Sequence, residues 1–389
     1  MVNAGWARAD GSCSGPAPPT SECTLSSQQL ASGIVCHAWN GNQSACAICP
    51  NNHEIHMYSV SGNTWTKGDI LSEHTQLVAD LDWGPRTGQL LSASHDRNAF
   101  VWKNSGDVWE PVLVVLRLKC AALCARWSPS EEKFAIGSGA KTVCVCYYEP
   151  ENNWWVSKHI RKKHNSSVVS VAWHPNNLFL ATTSSDMRCR VFSAFLKGVD
   201  SDSSPLEGVD KFGDEILDLD LASGWAHSVS FSPSGSQLAY VSHDSSLHYV
   251  RGLSATAAGM KSGSPTTLRF SEVPYCCIAW LSETSFVAAG YECSPVVFEA
   301  DASGNYVPIK LLKAKEAGSG AAAGNKSSQF SSAFDKFRAQ AERGMQEMSL
   351  SDNRDPIGPH KNIITMVRVC GPGKISTSGL DGQVVVWNL

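Results

Sequence analysis

The chain has 389 residues, 42% of them hydrophobic and 17% charged, with a formal net charge of -4. That is ample for a large core, and length alone would allow two or three domains. An acidic balance gives no global field to gather nucleic acid, and the lack of a run of about 18 apolar residues argues against membrane insertion.

Met1 to Thr20 is rich in Gly, Ser, Ala and Pro and lacks the apolar stretch of a signal peptide. Residues 1–21 are expected to be a flexible extension. Without export, the 14 cysteines read as reduced thiols of a cytoplasmic protein, and the sequons at Asn42, Asn165 and Asn325 carry no glycan.

From Cys36 onward a repeat begins. One column holds Trp39, Trp83, Trp127, Trp173, Phe231, Trp280 and a degenerate Val369. A second follows 18 to 20 residues later: Tyr58, Trp102, Tyr147, Phe192, Val250, Phe298 and Trp387. Six residues before each second-column member stands a turn residue: Asn52, Asp96, Lys141, Asp186, Asp244, Glu292 and Asp381. The first steps between second-column residues are 44, 45 and 45, the period of a four-stranded propeller blade. The expected fold is all-β: a seven-bladed WD40-type β-propeller over 22–389.

The second blade shows why. Leu77 to Trp83 alternates, Gly84-Pro85 breaks the strand, Leu90 to Ser94 forms the next, and Ala99 to Trp102 returns after a tight turn. One such sheet has two apolar faces, and stacking blades buries both. Asp96 is expected to cap its turn, with His74 and either Ser92 or Ser94 linking it to the Trp102 indole. We read this network as structural rather than catalytic, because it pairs polar groups that burial would otherwise strand.

Irregular spacing marks two additions. The gap from Phe192 to Phe231 is 39, against 25 or 26 in the first blades, so a loop projects there. The gap from Phe298 to Val369 is 71, which places an insertion at 313–359 between blades six and seven. Ala314 to Gln329 reads as a flexible tether. Phe330, Phe334, Phe337, Ala341, Met345 and Met348 then recur at helical spacing, and Ser332 with Asp335 reads as a capping box, so an amphipathic helix is expected over about 332–349. Three readings stand: a hook for a groove on another protein, a helix folded back on the propeller, or a segment too short to be ordered alone. The last blade ends the chain at its third strand, so its fourth is expected from within Glu22 to Leu30.

Sites for chemistry are sparse. Cys46 and Cys49 form a C-x-x-C near His37, His53 and His56, without a second pair at zinc spacing. Gly139 to Thr142 lacks the glycine before lysine of a phosphate loop, and no G-x-S-x-G occurs. No catalytic group, metal or cofactor is expected.

Other stretches carry a family resemblance. They are Cys36 to Asn40, Ala47 to Ile55, Asp96 to Trp102, Glu151 to Trp155, Trp173 to Asn177, Cys189 to Ala194, Val241 to Ser245 and Val287 to Gly290. Together they resemble subunit 1 of the actin-related protein 2/3 complex, its WD-repeat propeller subunit, from about Cys36 to Leu389. The resemblance implies a cytoplasmic, cytoskeletal assembly that nucleates branched actin filaments, with this chain as a non-catalytic scaffold bound to the other subunits, actin-related proteins included. It also implies that the insertion, through Phe330, Phe334, Phe337, Met345 and Met348, meets an activator or the actin filament. The first 30 residues and the insertion's linkers depart from the family pattern.

Lys158, His159, Arg161, Lys162, Lys163 and His164 form a basic run beside Trp154 and Trp155. Activators of that complex end in acidic tails with a tryptophan, which such a run would receive by charge pairing and stacking. The alternative is a solvated outer strand whose lysines protect an edge. For the whole chain, the rival readings are a WD-repeat adaptor, such as a ubiquitin-ligase substrate receptor, and a propeller enzyme.

Overall fold

The computed structural model describes residues 20–23, 25–106, 108–200, 211–256, 259–314 and 359–389. The expected helix at 332–349, with Phe330, Phe334, Phe337, Met345 and Met348, lies outside them.

Seven sheets follow one another along the chain. Blade one is β3(Cys36–Trp39), β4(Ala45–Cys49), β5(Ile55–Ser61) and β6(Thr64–Leu71). Blade two is β7(Val78–Trp83), β8(Leu90–Ser94), β9(Ala99–Asn104) and β10(Trp109–Val114). Blade three is β11(Ala122–Trp127), β12(Lys133–Ser138), β13(Val143–Glu149) and β14(Trp154–Ile160). Blade four is β15(Val168–Trp173), β16(Phe179–Ser184), β17(Cys189–Ser193) and β18(Glu215–Leu219). Blade five is β19(Ala226–Phe231), β20(Gln237–Ser242), β21(Ser246–Arg251) and β24(Thr266–Arg269), with a side hairpin of β22(Ser254–Thr256) and β23(Gly259–Lys261). Blade six is β25(Tyr275–Trp280), β26(Ser285–Gly290), β27(Val296–Ala300) and β28(Tyr306–Ala314). Blade seven is β29(Ile364–Gly371), β30(Lys374–Gly379) and β31(Gln383–Asn388).

Chain ends close the ring. β2(Leu25–Gln29) pairs antiparallel with β31, Leu25 opposite Trp387 and Gln29 opposite Gln383, within the window expected for the closing strand. β1(Thr20–Cys23) adds a parallel fifth strand to β28.

In every blade but the third, the two sequence columns lie on one rung. Trp83 pairs with Leu90 and Leu90 with Trp102; Val369 pairs with Ile375 and Ile375 with Trp387. Blade three corrects the sequence reading by one residue. Trp127 pairs with Phe134, and Phe134 with Cys146 rather than Tyr147. Cys146 is buried while Tyr147 is only half-buried, because a one-residue step in a strand reverses the face.

Apolar burial runs between blades. The seven clusters each join neighbouring blades, as where Leu91 and Val101 of blade two meet Trp127 and Phe134 of blade three. The seam between blades seven and one is the least apolar, with Ile34, Cys46, Ile48, Tyr58 and Val384 as its buried members. Hydrogen bonds supplement it: His37 spans Ser378 Oγ at 2.9 Å and Ser376 Oγ at 2.7 Å, Trp39 Nε1 donates to Ser376 Oγ at 2.9 Å, and Thr365 Oγ1 donates to the Ile34 carbonyl at 2.9 Å.

Candidate functional site

The Asp turns define one face of the ring. In blade two, His74 Nδ1 donates to Asp96 Oδ2 at 2.8 Å, and its Nε2 lies 2.8 Å from Ser92 Oγ, which accepts the Trp102 indole N–H at 2.9 Å. Burial alone would raise the Asp96 carboxyl. The His74 bond and charge and the N–H groups of Asn98 and Thr75 overcome this and hold it below its usual range. Blade seven repeats the chain with a threonine: His360 reaches Asp381 at 3.1 Å and Thr377 Oγ1 at 2.7 Å, and Trp387 Nε1 donates to Thr377 Oγ1 at 2.9 Å.

The other two Asp turns are built differently. Blade four has Phe192, which offers no donor. Arg190 instead donates to His164 Nδ1 at 2.8 Å and Asp186 Oδ2 at 2.9 Å. Blade five lacks the histidine of that loop. Asp244 accepts Ser223 N–H at 2.9 Å and bonds from Ser242 and Ser246; burial raises its carboxyl, and these donors bring it down to about 2. Each arrangement satisfies a carboxylate inside its own turn.

The inner strands line a channel of about 800 Å³. Six carry a register irregularity near their start, between Val78/Asp80, Ala122/Cys124, Val168/Ser170, Ala226/Ser228, Tyr275/Cys277 and Ile364/Met366. The skipped residues, Ala79, Leu123, Val169, His227, Cys276 and Thr365, all line the channel, as expected of bulges that re-aim a side chain. Its charges are paired: Arg126 with Asp80 at 2.5 Å and Arg368 with Asp82 at 3.0 Å. The same carboxylates reach the next blade, Asp80 taking the Ala125 N–H at 2.9 Å and Asp82 the Trp127 N–H at 2.8 Å. These groups tie blades together.

The basic run divides in space. β13 descends from the turn face and β14 climbs back, so Trp154 starts β14 on the opposite face, and Arg161, Lys162 and Lys163 follow its end on the turn face. Seven residues of strand separate Trp154 from Arg161, about 23 Å at ~3.3 Å per residue. Trp155 packs against Trp127, Phe134 and Tyr148 with ring centroids 5.7, 4.9 and 5.6 Å away, whereas Trp154 is 56% exposed. Lys158 Nζ lies 5.8 Å from the Tyr147 ring and 5.9 Å from that of Phe212. His159 bonds the Leu116 carbonyl at 2.8 Å, and His164 belongs to the blade-four network. Exposed Arg161, Lys162 and Lys163 remain as a compact basic loop.

The C-x-x-C pair divides too. Cys46 packs in the closure seam, while Cys49 joins the seam of blades one and two, its Sγ 3.1 Å from the Val78 carbonyl. Among the described residues no group of three His, Cys, Asp or Glu is placed to hold a metal.

One surface feature escaped the sequence reading. Trp225, His243 and Tyr291 come from three loops of the turn face, with centroids 5.9 Å apart for the first two and 6.0 Å for the last two. Trp225 and Tyr291 are 59% and 45% exposed. The available signal was a tryptophan just before an inner strand, where other blades place Leu77, Ala121, Ser167, Pro274 and Ile363.

Residues 65–103 and 155–193 match the family model for the WD domain, G-beta repeat; each stretch starts in the outer strand of one blade and ends in the third strand of the next. The chain is 46% identical over 372 residues to actin-related protein 2/3 complex subunit 1B of Arabidopsis thaliana, covering 93% of this chain and 95% of that protein. It is 39% identical over 370 residues to subunit 1A-A of Xenopus laevis, covering 93% and 95%, and 33% identical over 374 residues to subunit 1 of Schizosaccharomyces pombe, covering 91% and 96%. Likeness at these levels along almost the whole of both partners shows that the chain belongs to the family of actin-related protein 2/3 complex subunit 1.

Proposed function

We propose that the chain is a non-catalytic scaffold subunit of an actin-related protein 2/3 complex, acting in the cytoplasm and cytoskeleton in actin nucleation and branching. The observation that carries this is similarity extending through 93% of the chain to proteins named as subunit 1. The fold supports it, because the paired Asp80, Asp82, Arg126 and Arg368 serve to join blades.

Within that role, the ring holds neighbouring subunits and the insertion offers Phe330, Phe334, Phe337, Met345 and Met348 to an activator or the filament. Arg161, Lys162 and Lys163, with Lys158, offer charge to acidic activator tails. A tail touching both the basic loop and Trp154 must be extended over about seven residues. The experiment is capture of the tagged full chain from cytosol, with mass spectrometry of stoichiometric partners. Actin-related proteins with further small subunits support the reading; a ubiquitin-ligase core, or no partner, sinks it.

A further inference from the structure

The Trp225 and Tyr291 rings flank His243, whose Nδ1 lies 3.0 Å from His227 Nε2, and expose aromatic surface beyond what the contacts within the ring use. The backbone joins the loops as well, since the Pro274 carbonyl accepts the Tyr291 N–H at 3.2 Å. A contiguous exposed apolar group of this kind marks a contact surface.

Where the described chain stops and resumes says what covers it. Leu312 N–H donates to the Pro295 carbonyl at 3.0 Å, so β28 leaves the ring beside the turn that carries Tyr291. The chain resumes at residue 359, and His360 bonds Asp381 in the corresponding turn of blade seven. The described chain thus leaves and resumes on the turn face on either side of the 44 residues 315–358, and it leaves beside the turn that carries Tyr291. As the flexible tether expected from its Ala-, Gly- and Ser-rich composition, 315–329 would have a root-mean-square span on the order of 20 Å, enough for Phe330 to reach the Trp225 loop one blade away.

We propose that the apolar face of Phe330, Phe334 and Phe337 docks in cis on the Trp225, His243 and Tyr291 surface of its own propeller. This rests on the reading of that segment as an amphipathic helix, and not on the identity of any partner. Because the same face is the one offered to a partner, cis docking competes with that contact, and a partner must displace the helix to use it.

Hydrogen exchange of the purified full chain, read by mass spectrometry over peptides covering 330–348, tests the contact without any partner present. Docking predicts exchange about tenfold slower than for the same segment as a free peptide. The protection should be lost equally in Trp225→Ala/Tyr291→Ser and in Phe334→Ala/Phe337→Ala. Both patch side chains are exposed, so the first variant is expected to fold; Trp225→Ser alone is the second variant should it not. Unprotected exchange in the parent chain overturns the proposal. So does protection that survives the patch variants, or protection that rises with chain concentration, which would assign the patch to a second copy. Failure here leaves the scaffold reading standing, since that is decided by the co-purifying subunits.

Discussion

Lys133 opens β12 with its side chain fully buried, and its ammonium faces Asp200, whose side chain is 3% exposed. The Nζ donates to Asp200 Oδ1 at 2.6 Å, to Oδ2 at 2.5 Å and to the Ala194 carbonyl at 3.1 Å. Asp200 also accepts Asn177 Nδ2 at 2.9 Å and the Leu196 N–H at 2.7 Å. The pair thereby pins residues 194–200, the start of the long connection in blade four, against blade three. Lys133→Met leaves a buried carboxylate with only those two donors, and Asp200→Leu leaves a buried ammonium without its counter-charge. Each should cost about 3–5 kcal/mol, the range for breaking one side of a buried pair. Lys133→Met/Asp200→Leu removes both charges and strands the Asn177 and Leu196 donors and the Ala194 carbonyl, at about 1–3 kcal/mol each. The double variant should therefore cost less than the sum of the singles, with a coupling energy of about 2 kcal/mol at the middle of these ranges. Urea unfolding followed by linear extrapolation measures all four corners of the cycle. Single variants costing under about 1 kcal/mol, or losses that simply add, would refute the view that this charge pair holds the loop.

Acid should weaken the closure seam. His37 is pushed down to about 3 by burial, then by the charges of Arg368, His360 and Arg126. The unfolded chain takes up that proton near pH 6.5 and the folded chain does not. This contribution is complete above pH 6.5 and is lost as pH falls towards 3, at up to about 1.4 kcal/mol per pH unit. His227 and His248, each lowered to about 4 chiefly by burial, act in the same direction, so His37→Asn should remove about one proton from the slope between pH 6.5 and 4; an unchanged slope places its origin elsewhere. Phe334→Ala/Phe337→Ala should leave thermal unfolding and complex assembly nearly unchanged while lowering branching in a filament assay, and unfolding of the chain would assign the helix to the core. Lys162→Glu/Lys163→Glu should weaken binding of an acidic peptide most at low salt, where screening is least; equal affinity at low salt would remove the basic loop as a receptor.

The repeat was legible because Trp83, Leu90 and Trp102 stand on one rung, so spacing in the chain reports stacking in space. Blade three misled because Tyr147 looks like a better core residue than Cys146, and nothing short of register separates neighbours one position apart. Composition left Ser92 and Ser94 open; only the former lies at 2.8 Å from His74, while Ser94 bonds the Gln76 carbonyl. The basic run looked like one stripe because sequence adjacency hides the length of a strand. Two features depend on contacts between distant parts of the chain, and Trp225 before its inner strand was the one local signal for the second. His37 finds its partners more than 330 residues away at Ser376 and Ser378, and the aromatic patch joins loops of adjacent blades.

The ring also explains how a scaffold keeps its contacts apart. The turn face carries the Asp networks, the basic loop, the aromatic patch and both roots of the insertion. The opposite face is locked blade to blade by its own turns: Glu131 accepts Arg86 N–H at 3.0 Å and Thr87 N–H at 2.7 Å, Asn177 accepts Ser130 N–H at 3.2 Å, and Glu283 accepts Ser234 N–H at 2.5 Å. A strand of seven residues separates the two levels by about 23 Å. Partners bound on the two faces would therefore not collide, yet both would be held in register by strands whose neighbours share buried clusters. Loosening one seam would change the geometry of both contacts together, which is why the polar closure seam, with its buried His37, is the place where a change in solvent should first be felt.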